Sequence, residues 1–370
     1  MTTLAILSVS AGAGHIRAAE ALKTAAEARG LTAVHIDLMD HVPKIFRKLY
    51  AESYLKIVDR HPALWGYLYH AADKQKPDAT LTKLRLALER LNTRSFVKYL
   101  EALNPDQVIC THFLPAQILS RLIGKKRFSK PVWTVVTDFD VHALWVHPHL
   151  SGYCAAAEEI AWRMRDRGLG ETPIAVTGIP IMPAFSQTLD RAACAKEYGL
   201  DPKKTTFLMM SGGFGVGAID QLAERLLGID ADFQLIALAG RNAELLARIQ
   251  ALATKYPGRL FAQPFTRTIE RLMACADLAI SKPGGLTTSE CLAVGLPMLV
   301  ISPIPGQEER NADYLLENGA GLKAHDAAGL VFRVRELMKA PERIVTLRAN
   351  AKRLGRPDAA QRVLHEVLGG

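Results

Sequence analysis

Cysteine is scarce and poorly spaced for bonding: Cys110, Cys154, Cys194, Cys275 and Cys291 are scattered over 370 residues without a CxxC pair. An odd, dispersed set excludes a disulfide frame and a thiolate zinc site, and reads as reduced core thiols. Long apolar runs are missing as well, none reaching the ~18 residues that a membrane-spanning helix needs. The opening MTTLAILSVSAGAGH has no basic stretch before its apolar run, so no signal peptide is expected and a cytoplasmic protein is the default. Acidic residues are in deficit, 37 against 46 Lys and Arg, and the net charge of +9 favours an anionic partner. With 49% hydrophobic and 22% charged residues the composition excludes disorder, and the length exceeds what one core supports, so two domains are expected.

Strand and helix patterns alternate along the chain. Leu4–Ser8 reads as a strand, Val9–Gly14 as a turn of small residues and His15–Arg29 as a helix. Ala33–Leu38, Gln107–Cys110, Val132–Thr137 and Tyr153–Ala155 read as further strands, which predicts a parallel sheet. Between the second and third lies a basic, aromatic and helical insertion, 43–103. Phe46, Tyr50, Tyr54, Leu55 and Val58 recur there at helical spacing, Trp65 follows, and Lys44, Arg47, Lys48, Lys56 and Arg60 are interleaved. These residues fit helices lying on an anionic membrane surface, and equally helices packed on the sheet with a solvated cationic face. The glycine and prolines of Thr177–Pro183 mark a domain boundary. Beyond it Thr206–Met210, Gln234–Leu238, Leu260–Ala262 and Leu278–Ser281 read as strands, and the helical tail from Ala327 ends in a helix expected to tie the domains together.

The stretch Ser281–Asn311, SKPGGLTTSECLAVGLPMLVISPIPGQEERN, is the densest in candidate chemistry. Gly284 and Gly285 open a helix whose unpaired N–H groups and positive dipole end suit a phosphate. Glu290 falls one turn later, within reach of ribose hydroxyls, while Gln307 and Glu308 are expected on a loop beyond the next strand, at the ligand edge of an open sheet. Gly213 to Ala218 matches a dinucleotide fingerprint, yet the strand Gln234–Leu238 ends without the acidic residue that such a site needs. Ser211, Gly212 and Gly213 then fit either a pyrophosphate cradle or a tight turn. His15, after Gly12-Ala13-Gly14 at a strand's end, reads as a proton acceptor or as a structural histidine. Asp138-Phe139-Asp140 has the D-x-D form of a cation site; Asp138 reads as a partner of His15 or of the acceptor, or as a turn cap. His142, His147 and His149 lack partners at ligand spacing, so no metal is assigned.

Taken in order, SVSAGAGHIRAAEAL, TVVTDFDVHALWVHP, VTGIPIMPAF, GGFGVGAI, LAGRN and KPGGLTTSECLAVGLPMLV…PGQEERNADYL resemble the monogalactosyldiacylglycerol synthase and processive diacylglycerol glucosyltransferase family over nearly the whole chain. The N-acetylglucosaminyltransferase that makes lipid II is similar too. The resemblance implies an α/β GT-B fold, two Rossmann-like domains facing across a cleft. Residues 1–183 would form an acceptor and membrane-side domain carrying the insertion 43–103, and 184–370 a UDP-sugar-binding domain with C-terminal helices. It implies an inverting transfer of glucose or galactose from a UDP-hexose to diacylglycerol or a glycosyl-diacylglycerol. The enzyme would sit peripherally on the inner face of the cell membrane, with an anionic lipid surface as partner, no metal or other cofactor, and no nucleic acid.

Carried over by position, His15 is the expected base; Asp138, read from its place at a strand's end as a partner of His15 or of the acceptor, is the second expected catalytic residue. Ser211, Gly212, Gly213, Pro283, Gly284, Gly285 and Thr287 would cradle the diphosphate, Gly240 and Arg241 would form a donor loop, and Phe265 and Thr266 would hold the uracil. Glu290 would meet the ribose, with Gln307 and Glu308 at the ribose or the sugar. Gly12, Gly14, Phe46, Tyr50 and Trp65 would serve the acceptor and membrane side. Ser8–Gly14 departs from the plant enzymes' acidic, three-glycine version, and Phe214 stands where they carry an acidic residue, which leaves the donor sugar open. Other readings are a UDP-N-acetylglucosamine-dependent transferase acting on a polyprenyl lipid, a UDP-hexosamine epimerase of the same fold, and a non-catalytic lipid-binding module.

Overall fold

A computed structural model describes residues 2–10, 12–43, 47, 93–210 and 219–369. The predicted sites at Phe46, Tyr50, Trp65, Ser211, Gly212 and Gly213 lie outside the described residues. The chain forms two compact units. The first comprises Met1–Pro183, Ile304–Gln307 and Asp358–Gly370; the second comprises Ala184–Pro303 and Glu308–Pro357. All of 184–370 was expected in one domain, whereas the final segment joins the first unit.

In the first unit β1 (Thr3–Ser8), β2 (Thr32–Asp37), β3 (Gln107–Cys110), β4 (Val132–Val135), β5 (Gly152–Ala155) and β6 (Ile174–Val176) form one parallel sheet in the order β2-β1-β3-β4-β5-β6. Five of the six residues of β1 are buried, as a parallel strand covered on both faces requires. The covering elements include α1 (Ala13–Ala28), whose Ala18, Ala19, Leu22, Ala25 and Ala26 are buried and small enough for close approach. Among the described residues, the further α-helices of this first stretch are α2 (Arg94–Leu103), α3 (Phe113–Gly124) and α4 (Glu158–Met164). The strand order reverses between β1 and β3, and ligands of open α/β sheets bind beyond the strand ends at such a switch point.

In the second unit the elements run α5 (Arg191–Glu197), β7 (Thr205–Met210), α6 (Ile219–Leu227), β8 (Phe233–Leu238), α7 (Ala243–Ala253), β9 (Leu260–Gln263), α8 (Ile269–Cys275), β10 (Leu278–Ser281), α9 (Gly285–Ala293), β11 (Met298–Ile301), α10 (Gln307–Glu317), β12 (Gly321–Ala324), α11 (Ala327–Lys339) and α12 (Glu342–Leu354). Their parallel sheet has the order β12-β11-β10-β7-β8-β9, with its switch point between β7 and β10. This is the strand order of a classical dinucleotide fold. Its core is a continuous cluster running from Phe207 and Leu235 in the sheet to Leu330, Val334 and Leu347 in the helices.

The last helix, α13 (Ala359–Leu368), inserts Ala360, Val363, Leu364 and Val367 into the core of the first unit, beside Leu4, Ile6 and Leu22. The sequence reading did not anticipate β6 and β12. It also placed Gln307 and Glu308 in a loop, whereas they open α10. Gly306 at φ 94° makes the turn, and Glu308 and Glu309 then occupy the first helical turn, where acidic side chains meet the positive end of the dipole.

Candidate active site

Three strand ends converge on His15. The residue lies in the first turn of α1, just beyond β1, and its helix is entered through Gly12, whose φ of 128° is a conformation that only glycine adopts readily. Asp37, at the end of β2, pins this entry by accepting from Ser10 N at 3.1 Å and Met39 N at 3.0 Å. From beyond β3, the Thr111 carbonyl lies 2.9 Å from His15 Nδ1, and the Thr111 hydroxyl donates to the His15 carbonyl at 2.9 Å. From beyond β4, Thr137 Oγ1 lies 2.9 Å from the same Nδ1. Asp138 follows Thr137 directly, at the same sheet edge. Its D-x-D partner Asp140 is paired with Arg163 at 3.7 Å.

Aromatic rings enclose the imidazole. His112 meets it edge-on with centroids 4.5 Å apart, and Trp145 stands at 6.2 Å from His15 and 5.7 Å from Phe113. His112 caps α3 by accepting from Leu114 N at its Nδ1, 3.0 Å away, so its own proton is on Nε2. Burial pushes His15 down from 6.5 to about 4, opposed by the Thr111 carbonyl. Burial and the neighbouring His15 push His112 well below the usual histidine range. At neutral pH both rings are uncharged, and a neutral imidazole has one lone pair with which to take a proton. Gly14 sits within the first turn beside His15.

In the second unit the expected donor residues gather at the C-terminal ends of the strands. Pro283 and Gly284 follow β10 at the switch point, and Gly284 is the N-cap of α9 without a side-chain cap. Helix pairing begins when Thr288 N donates to the Gly284 carbonyl at 2.8 Å, so the amides of Gly285, Leu286 and Thr287 precede the intrahelical ladder. Glu308 reaches this helix start from α10, its Oε1 3.8 Å from where a Cβ on Gly284 would lie. Gly240, at φ 62°, turns the chain after β8 so that Arg241 lies over the ring of Phe265, 4.6 Å from its centroid. Phe265 is 41% exposed, and the neighbouring Thr266 hydroxyl accepts from Thr268 N at 3.0 Å. Glu290 is buried at 2% exposure in the second turn of α9. Gln307 belongs to the first unit and Glu308 to the second.

Sequence reasoning passed over Thr111, His112, Thr137 and Trp145. The residues of THF and TVVTDF stand at strand ends as GHI does, which was the available signal. It also passed over Thr288, a fully buried side chain whose hydroxyl has no hydrogen-bond partner in the structure. The five thiols are free and buried; burial raises Cys110, Cys154, Cys275 and Cys291, which makes them poor nucleophiles. Among the described residues no cluster of His, Cys, Asp and Glu could hold a metal ion, and no helix is long and apolar enough to cross a membrane.

Comparison with known proteins gives a consistent set of likenesses. Residues 15–181 match the family model described as monogalactosyldiacylglycerol (MGDG) synthase, and residues 216–363 match the glycosyltransferase family 28 C-terminal domain. The chain is 28% identical over 365 residues to the processive diacylglycerol beta-glucosyltransferase of Bacillus pumilus (strain SAFR-032), covering 98% of this chain and 94% of that one. It is 25% identical over 366 residues to the protein of the same description in Bacillus subtilis (strain 168), covering 98% and 94%. Among solved structures, MurG of Acinetobacter baumannii aligns over all of both chains with a TM-score of 0.65 at 16% identity. S. aureus MnaA in its UDP co-structure aligns over 99% of this chain and 96% of that one, with a TM-score of 0.64 at 14% identity. These structural likenesses give the fold, α/β of the GT-B kind.

Proposed function

Because the chain carries a match to monogalactosyldiacylglycerol (MGDG) synthase over residues 15–181 and to the glycosyltransferase family 28 C-terminal domain over residues 216–363, we propose that it transfers glucose from UDP-glucose to diacylglycerol, and then to the glucosyl-diacylglycerol so formed, at an anionic membrane surface. The observation that carries the chemistry is His15: a neutral imidazole at a switch point, with Nδ1 occupied by the protein and Nε2 left to accept a proton. In the proposed step Nε2 takes the proton of the lipid hydroxyl as its oxygen attacks the anomeric carbon. The new bond forms opposite the departing phosphate oxygen, UDP leaves, and the configuration inverts to β. A positioned base of this kind contributes about 10²–10⁴-fold in rate.

The donor side of the proposal rests on the start of α9. Its free amides and dipole would take the diphosphate, a role supported by the unpaired N-terminal turn and by the glycine at 284. Arg241 and Phe265 offer an exposed planar surface for the base of the nucleotide, and Glu290 and Glu308 supply carboxylates for hydroxyl groups. Glucose is preferred to galactose because the curated relatives are described as glucosyltransferases.

The test is direct. Purified protein is incubated with vesicles of anionic phospholipid and diacylglycerol and with UDP-glucose, UDP-galactose or UDP-N-acetylglucosamine in turn, and the lipids are separated and weighed by mass spectrometry. Mono- and diglucosyl-diacylglycerol from UDP-glucose is the expected product. A galactolipid alone corrects the donor, and the absence of any glycolipid from all three donors overturns the proposal.

A further inference from the structure

We infer that Thr137 is a positioning residue for the proposed transfer: its hydroxyl and the Thr111 carbonyl together fix His15 in the tautomer that carries its proton on Nδ1 and leaves the lone pair on Nε2. The inference rests on the reading of His15 as the base, and it follows from what each neighbour can do. A carbonyl oxygen only accepts, so the 2.9 Å approach of Thr111 O to Nδ1 is attractive only if Nδ1 bears a hydrogen. Thr137 Oγ1, also at 2.9 Å, can accept from that same N–H in a three-centre arrangement. With the proton on Nε2 instead, the Thr111 carbonyl would face a lone pair, and one of the two contacts would turn repulsive.

Thr137 is 5% exposed and Thr111 fully buried, so no water stands ready to replace a lost partner. The titratable group facing the ring is His112 on α3, which is itself held neutral with its proton on Nε2. Among the described residues, burial and the Thr111 carbonyl are what act on the protonation of His15. The two contacts come from residues just beyond β3 and β4, which lie next to each other on the far side of β1 from β2, while α1 carries His15 itself. Two residues, 96 and 122 positions away in sequence, thus act together to set which nitrogen of His15 is basic: the Thr111 carbonyl selects the tautomer and the Thr137 hydroxyl holds the Nδ1–H against it.

The test reads the tautomer and the rate separately. Full-length wild type, Thr137→Val and Thr137→Ser are labelled with ¹⁵N-histidine, the His15 signals being assigned by their loss in His15→Gln, and the same samples are assayed with UDP-glucose and diacylglycerol vesicles. In wild type the His15 ring is expected to be protonated on Nδ1 and bare on Nε2. In Thr137→Val the signals should move toward a mixture of tautomers, and kcat should fall about 10–100-fold with KM for UDP-glucose within about twofold, a part of what a general base supplies. Thr137→Ser, which keeps the hydroxyl, should restore both. A wild-type ring protonated on Nε2, or an unchanged ring in Thr137→Val, overturns the inference on structural grounds alone, whatever the enzyme transfers. A tautomer that shifts while kcat stays at the wild-type value overturns the base role of His15 and the positioning role with it, and leaves the donor and acceptor assignment standing.

Discussion

Among the described residues, a Cβ placed on Gly284 would meet a single atom within 4 Å, the Oε1 of Glu308 at 3.8 Å, an ordinary van der Waals distance. The backbone at Gly284, φ −61° and ψ 142°, suits any residue. Neither packing against the described residues nor conformation therefore calls for glycine at this position, as the proposed close approach of a diphosphate to the helix start requires. Gly284→Ala should melt within about 2 °C of wild type, as a strain-free surface change does. Its affinity for UDP by calorimetry should fall about tenfold or more, since a methyl group would stand where the diphosphate meets the amides. Unaltered UDP affinity would remove the start of α9 from the donor site.

The base and the donor site should separate in kinetics. His15→Ala is expected to lower kcat by about 10²–10⁴-fold while UDP binds as tightly as to wild type, because the ring touches the acceptor and not the nucleotide in the proposed step. Turnover near the wild-type rate would end the assignment of His15 as the base.

The two enclosed imidazoles, His112 buried and His15 partly so, also predict how stability responds to acid. His15 and His112 are both held below the ordinary histidine value by burial, His15 at about 4. The unfolded chain takes up these protons near pH 6.5 and the folded chain does not, so the stability they contribute is complete above pH 6.5 and is lost as pH falls from 6.5 toward 4. For His15 this amounts to at most about 3 kcal/mol. Urea midpoints measured from pH 7.5 to 4.5 should fall across that window, and less steeply for His15→Asn. Parallel curves for the two proteins would show that the ring titrates freely in the fold.

The last helix is a structural part of the first unit and can be tested as such. Leu364 is fully buried against the strand and helix that carry the candidate base. Leu364→Ala should cost about 2–5 kcal/mol, and the loss should appear as faster hydrogen exchange in β1 and α1. Phe332, 55% exposed on α11, provides the contrast: Phe332→Ala should change stability by about 0.5 kcal/mol or less.

How much of this was legible in the sequence depended on range. The strand, turn and helix around His15 and the Lys282-Pro283-Gly284 turn before α9 could be read because apolar periodicity and glycine placement are local signals. Three-residue β6 and the strand Gly321–Ala324, which carries a lysine, are too short and mixed for the same signals to register. Gln307 was read as loop because Pro305 and Gly306 suggest a turn, although the acidic pair that follows is what a helix start prefers. For Thr111 and Thr137 the sequence offers only their place at strand ends. Their bearing on His15 exists only once β1, β3 and β4 lie side by side, and that neighbourhood depends on contacts across 96 and 122 residues.

The return of the chain to its first unit at Asp358 has a consequence for biosynthesis. During translation at about 5–20 residues per second, the second unit is complete in the nascent chain before α13 exists, while the sheet holding His15 has waited about 10–35 s since Pro183 for the helix that closes its core. Of the two units, the one whose synthesis starts earlier is therefore the one completed later. A chain cut before Asp358 would keep the second unit and leave the first one open, exposing the apolar face of α1 and β1 that Val363, Leu364 and Val367 cover and inviting degradation.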